Sequence, residues 1–326
     1  MYSSYDYLKK LKLKPNKDYY ADEVTNKIQV NILPDVSYKS SLTEINEVTC
    51  YIDKSTDRYS IVKDKKLNMY DMISGQVEFV VFNTKKPYFA SKEVRKAIAY
   101  GIDTERIIRN SYASDAVLTD SLYYPNFLGV LDTGGMNEYD YDKASQMLTK
   151  AAIKDFDGDG FLEDVYGNRI TLTILVKKSN AQRVSACKNI AKNMETLGFK
   201  VDVKALPSNQ YKQAMASRNF DLLVAGCDME ETYDLREFFN GKNDWGYYNA
   251  ELLTKSRELE RLYTEEKQQQ KYTQMKDALL DEMPYYALCY KKMGLVGIST
   301  FTADKLPTFN NIYKNCNTWS WKEREN

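Results

Sequence analysis

The side chains best suited to chemistry in this chain are carboxylates, and they gather in two short segments. The sequence contains no histidine, which excludes Ser–His–Asp and Cys–His catalysis as well as histidine metal sites. Its five cysteines are scattered along the chain without zinc-ligand spacing. An enzyme of this sequence would therefore need a carboxylate or metal mechanism, and we predict that the protein is not an enzyme.

The first acidic segment is DFDGDGFLED, residues 155–164. Its alternating acids and the glycine at its sixth position match the first half of an EF-hand loop, where alternating oxygen ligands surround calcium. The twelfth position falls on Tyr166 rather than on a glutamate. The segment therefore predicts either a calcium site or a turn rich in Asp and Gly. The candidate calcium ligands are Asp155, Asp157, Asp159 and Glu163.

The second acidic segment is AGCDMEE, residues 225–231, and it directly follows a run of strand-forming residues. The backbone freed by Gly226 can pair with the backbone of a ligand, and Glu230 can hold a cation such as an α-ammonium group. The alternative is a solvated acidic loop with no ligand.

The elements that position this second segment form a regular alternation. Strands are predicted over 170–176, 199–206 and 220–226, with helices over 180–197 and from Ser208 onward. The order β-α-β-α-β predicts a parallel sheet with right-handed crossovers. Ligands of open α/β sheets bind at the carboxyl ends of the strands, where AGCDMEE lies.

Upstream of this region, residues 77–103 combine a buried strand with an amphipathic helix. The β-forming run 77–82 ends at a break containing Pro87, after which Ser91 is placed to cap a helix and Asp103 to cap the next one. Nearer the N-terminus the predictions are a turn over 13–20, a strand over 28–35, a short helix over 38–47 and a strand over 50–61.

Composition excludes two further classes of partner. The 326 residues include 46 basic and 46 acidic side chains, so the formal net charge is zero. A nucleic-acid or anionic-membrane surface would need a basic surplus. No segment has 18 consecutive apolar residues, so we predict no membrane span.

The order strand, Asn83-Thr84, Pro87 and the helix VRKAIAYGID (94–103) resembles the oligopeptide- and dipeptide-binding proteins of ABC importers, the family 5 extracytoplasmic solute-binding proteins. Two later features are also similar to this family. One is a strand ending in Gly226 with an acid four positions on, and the other is a pair of helices before Pro284 and a returning strand over 285–290. The resemblance covers roughly residues 13–300.

The resemblance implies an α/β fold: a class II periplasmic-binding-protein-like lobe with a parallel-core sheet, plus the remnant of a second lobe. It divides the chain into 1–83, a partial first lobe with a hinge strand; 84–287, a complete ligand-binding lobe; and 288–326, a return strand and tail of the first lobe. Such proteins are normally much longer, so we expect this chain to be an N-terminally truncated form.

The resemblance also implies a function, the binding of a peptide or other small solute in an interlobe cleft for delivery to an ABC permease. In peptide-binding members the acid at the position of Glu230 accepts the peptide amino terminus, whereas Cys227 replaces a tryptophan and removes an aromatic wall. Hinges are expected at Asn83 and near Leu288. The implied ligand-binding residues are Asn83, Ala225, Gly226, Cys227, Asp228 and Glu230.

Location follows from the same resemblance. The full-length parent is expected outside the cytoplasm, periplasmic or anchored as a lipoprotein. The first 17 residues have neither an apolar signal core nor a lipobox, so we expect no export signal in this chain. The alternative function is an orphan sensor or interaction module that has kept the lobe and lost transport.

Overall fold

The computed structural model describes residues 2–7, 9–16, 18, 27–129, 138–229, 234–259, 261 and 264–322. The strands are β1 Tyr2–Asp6, β2 Lys10–Leu13, β3 Ile28–Asn31, β4 Cys50–Asp53, β5 Asn68–Phe82, β6 Ala116–Leu118, β7 Thr171–Lys177, β8 Lys200–Leu206, β9 Leu222–Asp228, β10 Tyr285–Gly297, β11 Thr302–Ala303 and β12 Trp319–Ser320. The helices are α1 Lys39–Glu44, α2 Arg58–Asp64, α3 Pro87–Ala90, α4 Lys92–Tyr100, α5 Thr104–Ser111, α6 Tyr141–Lys150, α7 Ala181–Thr196, α8 Ser208–Ala216, α9 Arg236–Phe239, α10 Ala250–Leu259 and α11 Glu265–Glu282.

The chain divides into two compact units. The first comprises residues 1–74 and 292–326, and the second comprises residues 75–291. The long strands β5 and β10 each contribute residues to both units. The assignment of these parts to lobes of a larger receptor, with boundaries at 83/84 and 287/288, stays a prediction.

The second unit contains a mixed sheet with the strand order β10–β5–β9–β7–β8, and β6 pairs antiparallel with β10. Strand β7 is parallel to both β8 and β9, whereas β5 pairs antiparallel with β9. The predicted α/β class with a parallel three-strand core is confirmed. The antiparallel β5 makes the complete sheet mixed.

The crossover helix α7 shows how the sequence builds this core. Asn180 caps it, because its side-chain oxygen accepts a hydrogen bond from the Arg183 amide at 3.0 Å. Cys187, Ile190 and Met194 recur at helical spacing and are fully buried. Burial of Ile190 and of Met194 each stabilises the fold by about 1.5–3 kcal/mol. Gly198, at φ +100°, ends the helix in a conformation that favours glycine.

The segment upstream of β7 follows the predicted order of strand and helices. Strand β5 is longer than predicted, since it begins at Asn68. Ser91 occupies the cap position of α4 but makes no capping hydrogen bond with its side chain. Asp103 caps α5 as predicted, accepting a hydrogen bond from the Arg106 amide at 2.9 Å.

The first unit is built from small antiparallel ladders. Strands β1, β2 and β3 form one sheet, and β4 pairs with the carboxyl-terminal part of β10. The predicted strand over 50–61 is wrong beyond Asp53, because residues from Arg58 form helix α2. The Arg58 side chain is fully buried and donates to the carbonyl oxygen of Ser55 at 3.0 Å, which holds the turn before α2.

Candidate functional site

The predicted ligand-binding segment lies at the carboxyl end of β9, where its residues divide between the two faces of the sheet. Gly226 pairs with Glu78 of β5, and Cys227 pairs with Val77. Because side chains alternate along a strand, Ala225 and Cys227 face one side and Gly226 faces the other. Asp228 is exposed at the strand end.

On one side, β9 extends beyond its pairing with the neighbouring strand β7. Strand β7 pairs with β9 at Leu222 and Leu223, and within the described residues no strand pairing to β7 continues beyond Leu223. The carboxyl half of β9 therefore has main-chain groups on that side that are not used by the ladder.

The face beneath Gly226 holds a buried ion pair. Arg183 donates from Nε and Nη2 to the two carboxylate oxygens of Glu78, at 2.6 and 3.0 Å. Glu78 is 1% exposed, and it also lies 3.2 Å from the Tyr112 hydroxyl and 3.8 Å from Nζ of Lys291. Burial lowers the pKa of Arg183, but the contacts with Glu78 raise it more, so the guanidinium stays charged.

This ion pair explains why residue 226 is glycine. A Cβ there would lie 2.3 Å from Nη2 of Arg183 and 2.6 Å from the carbonyl oxygen of Val77. No side chain fits in that space. From the sequence we predicted that Gly226 frees the backbone to pair with a ligand. In the structure, the glycine is needed because the Arg183 side chain lies where a Cβ would be.

On the opposite face a pocket of about 760 Å³ opens beside the end of β9. Residues 227–229 line one part of it, and residues from the segment 234–245 line the rest. Sequence reasoning found the first part and missed the second. The signal for the second was the group Phe238, Phe239 and Trp245 set among Gly, Asn and Asp.

An aromatic cluster forms the apolar wall of this pocket. Phe238 and Trp245 pack against the fully buried Phe79, with ring centroids 5.8 and 5.6 Å from that of Phe79. Tyr285 joins the cluster at 5.9 Å from Phe79 and accepts a hydrogen bond from Nε1 of Trp245 at 2.8 Å. The pocket therefore has an aromatic wall that Cys227 does not supply.

Asn243 fixes the conformation of the segment that carries these rings. Its amide nitrogen donates to the carbonyl oxygens of Glu237, Phe238 and Tyr247 at 2.9, 3.1 and 3.2 Å. Its side-chain oxygen accepts from the Tyr247 amide at 3.1 Å. One side chain thus satisfies four polar groups of the segment, which presets the shape of the pocket.

The charged lining of the pocket is mostly acidic. Asp234 is paired with Arg236, which lowers the pKa of that carboxyl. Asp228, Glu237 and Asp244 also line the pocket.

The Cys227 thiol lies 3.6 Å from the Met229 sulfur, and burial, followed by the charge of Asp228, raises its pKa to about 11. It is therefore protonated at neutral pH and unsuited to nucleophilic chemistry.

Of the predicted ligand-binding residues that the structure describes, only Cys227 and Asp228 line this pocket. Ala225 is buried, and Gly226 faces the other side of the sheet.

Asn83 lies at the opposite end of β9 and is 5% exposed. Its amide nitrogen donates to the carbonyl oxygens of Phe220 and Arg218 at 2.7 and 3.1 Å, so the fold uses its hydrogen-bonding groups. Glu230 lies outside the described residues, and its role stays a prediction.

The other acidic segment brings its four predicted ligands together. The carboxylate oxygens of Asp155, Asp157, Asp159 and Glu163 lie within 4.8 Å of one another. Asp155 accepts hydrogen bonds from the amides of Gly158 and Gly160 at 2.6 and 2.9 Å, and the Gly160 bond is the main cause that lowers its pKa. The segment is therefore an Asp- and Gly-rich turn held by its own amides, and calcium binding stays a prediction.

Among the described residues, no helix combines the length and apolar character needed to cross a bilayer.

Comparison with known protein families gives a match over most of the chain. The family described as bacterial extracellular solute-binding proteins, family 5 Middle, matches residues 1–246. The oligopeptide-binding protein AppA of Bacillus subtilis is 24% identical over 296 residues, which cover 86% of this chain and 53% of AppA. The dipeptide-binding protein of Escherichia coli is 26% identical over 127 residues, 38% of this chain and 23% of that protein. The chain thus spans about half of the AppA sequence.

Solved structures share the fold at low sequence identity. AppA from B. subtilis in complex with a nonapeptide superposes with a TM-score of 0.68 and 20% identity, covering 99% of this chain and 66% of AppA. CtaP from Listeria monocytogenes superposes with a TM-score of 0.75 and 17% identity, again covering 99% of this chain and 66% of CtaP. This chain therefore shares its fold with about two thirds of the length of each of these two proteins.

Proposed function

Because the chain belongs to family 5 of the bacterial extracellular solute-binding proteins, as its motifs predicted, we propose that it is part of the solute-binding component of an ABC-type importer and binds a peptide-like solute. The curated relatives that it matches include an oligopeptide-binding and a dipeptide-binding protein, not enzymes. We therefore propose that this chain binds a solute and does not catalyse a reaction. Its extracytoplasmic location and its delivery of solute to a permease are parts of the same proposal.

The observation that carries the proposal is the combination of features at the carboxyl end of β9. Among the described residues the pairing of β9 with β7 stops at Leu223, a pocket of about 760 Å³ adjoins the end of β9, and Phe238 with Trp245 supplies an aromatic wall. An extended peptide can pair its backbone with such a strand end while a side chain enters the pocket. Asp228 lies where it can attract the positive end of the peptide.

Isothermal titration calorimetry of the chain with tri-alanine tests this function. We expect saturable binding that is weakened when the peptide amino terminus is acetylated, because acetylation removes the cation that the acidic end of β9 attracts. Glu230→Gln tests the predicted ammonium contact and should weaken binding of the free peptide but not of the acetylated one.

A matched control is Glu195→Gln, which changes an exposed carboxylate on α7 instead. Absence of binding by peptides of two to five residues, measured on chain whose circular dichroism shows it to be folded, would overturn the proposal.

A further inference from the structure

The carboxylates of the pocket beside Trp245 have few partners of their own. Within the part of the chain that the structure describes, Asp228, Glu237 and Asp244 form no ion pair, in contrast to the paired Asp234. One lysine, Lys242, also lines the pocket. Three unpaired carboxylates on one concave surface create a negative potential that the single lysine does not cancel.

The same pocket is lined by an aromatic surface suited to an alkyl chain. Phe238 and Trp245 are held rigidly, since both pack on Phe79 and Asn243 fixes the backbone between them. Lysine and arginine side chains place their methylene groups on apolar surface and keep the charged end among polar groups. A cation close to an indole ring also gains from the electron-rich ring face.

We propose that this pocket selects a basic side chain of the bound solute, so that the preferred substrates are peptides containing Lys or Arg. This inference rests on the proposed function, because it assigns the specificity of the same site. The ammonium or guanidinium group of the peptide side chain binds Glu237 and Asp244 at the mouth, and its methylene groups pack on Trp245. Peptides with an acidic side chain at this position are repelled.

The test compares two peptides that differ in one charge. Ala-Lys-Ala and Ala-norleucine-Ala have side chains of similar shape, and only the first carries an ammonium group. Titration calorimetry with the wild-type chain in about 20 mM salt, where surface charges are weakly screened, should give an affinity for the lysine peptide roughly two- to fivefold higher than for the norleucine peptide. The ratio should fall when the salt concentration is raised to about 300 mM.

The double variant Glu237→Gln/Asp244→Asn should bring the ratio of the two affinities close to one. Glu195→Gln, on α7 and distant in sequence from the pocket, should keep the wild-type ratio. Equal affinity of the wild-type chain for the two peptides would overturn the inference and leave peptide binding intact. A ratio unchanged in the double variant would also overturn it. Absence of binding by either peptide would instead overturn the proposed function.

Discussion

Replacing Gly226 by alanine should destabilise the protein, although the same change in an ordinary strand stabilises. In a strand, alanine is favoured over glycine by roughly 0.5–1 kcal/mol. At this position the added Cβ would lie 2.3 Å from Nη2 of Arg183, 2.6 Å from the carbonyl oxygen of Val77 and 2.8 Å from Oε1 of Glu78. Either the Arg183–Glu78 pair separates or β5 moves away from β9.

Overpacking of this kind costs about 1–3 kcal/mol, and disturbing a buried ion pair adds to that cost. We therefore expect Gly226→Ala to lower the free energy of unfolding by about 2–4 kcal/mol in urea denaturation followed by circular dichroism. In an Arg183→Ala background the same substitution should cost less, because the closest contact has gone. A Gly226→Ala protein as stable as wild type, or equal costs in the two backgrounds, would refute this explanation of the glycine.

Three further predictions concern the pocket and the surface. Asn243→Ala should lower the free energy of unfolding by about 1–2 kcal/mol, since partly buried main-chain groups of the segment lose their hydrogen-bond partner. It should also weaken peptide binding measured by calorimetry, and unchanged binding would show that the segment keeps its shape without Asn243. Asp281→Asn should destabilise by about 0.5–1 kcal/mol at pH 7, because hydrogen bonds from Lys92 and Lys96 lower the pKa of Asp281 to about 2. That pKa is depressed on folding, so the stabilisation is present above about pH 4 and lost as the pH falls towards 2; a difference that does not change with pH would contradict this. Cys227, with its pKa of about 11, should react with iodoacetamide at pH 8 roughly 10²-fold more slowly than a free thiol and more slowly still with peptide bound; mass spectrometry showing the rate of a free thiol would contradict it.

Local sequence patterns were sufficient to predict the parallel core of the fold. The strands at β7, β8 and β9 are apolar runs separated by helices with Asn180 as a cap, and these signals lie within the segments themselves. The strand predicted over 50–61 failed because its second half becomes helix α2. Arg58 is buried there against the carbonyl oxygen of Ser55, an arrangement that strand periodicity does not indicate.

The candidate site was predicted only in part, because its partners are distant in sequence. The AGCDMEE segment was found from the topology, since it follows the third parallel strand. The reason for Gly226 was not found, because it depends on an ion pair between Glu78 and Arg183, which are 105 residues apart. The wall formed by Phe238 and Trp245 was missed for the same reason, since it is assembled on Phe79.

Hydrogen–deuterium exchange of the chain with and without saturating Ala-Lys-Ala tests most directly where the solute binds. Amides exchange more slowly where a ligand pairs with or orders the backbone. We predict slower exchange in Leu222–Asp228 and in residues 234–245, with no comparable change in the Asp- and Gly-rich turn 155–164. Protection elsewhere in the chain, with exchange in the two pocket segments unaltered by bound peptide, would contradict the assignment of this pocket as the binding site.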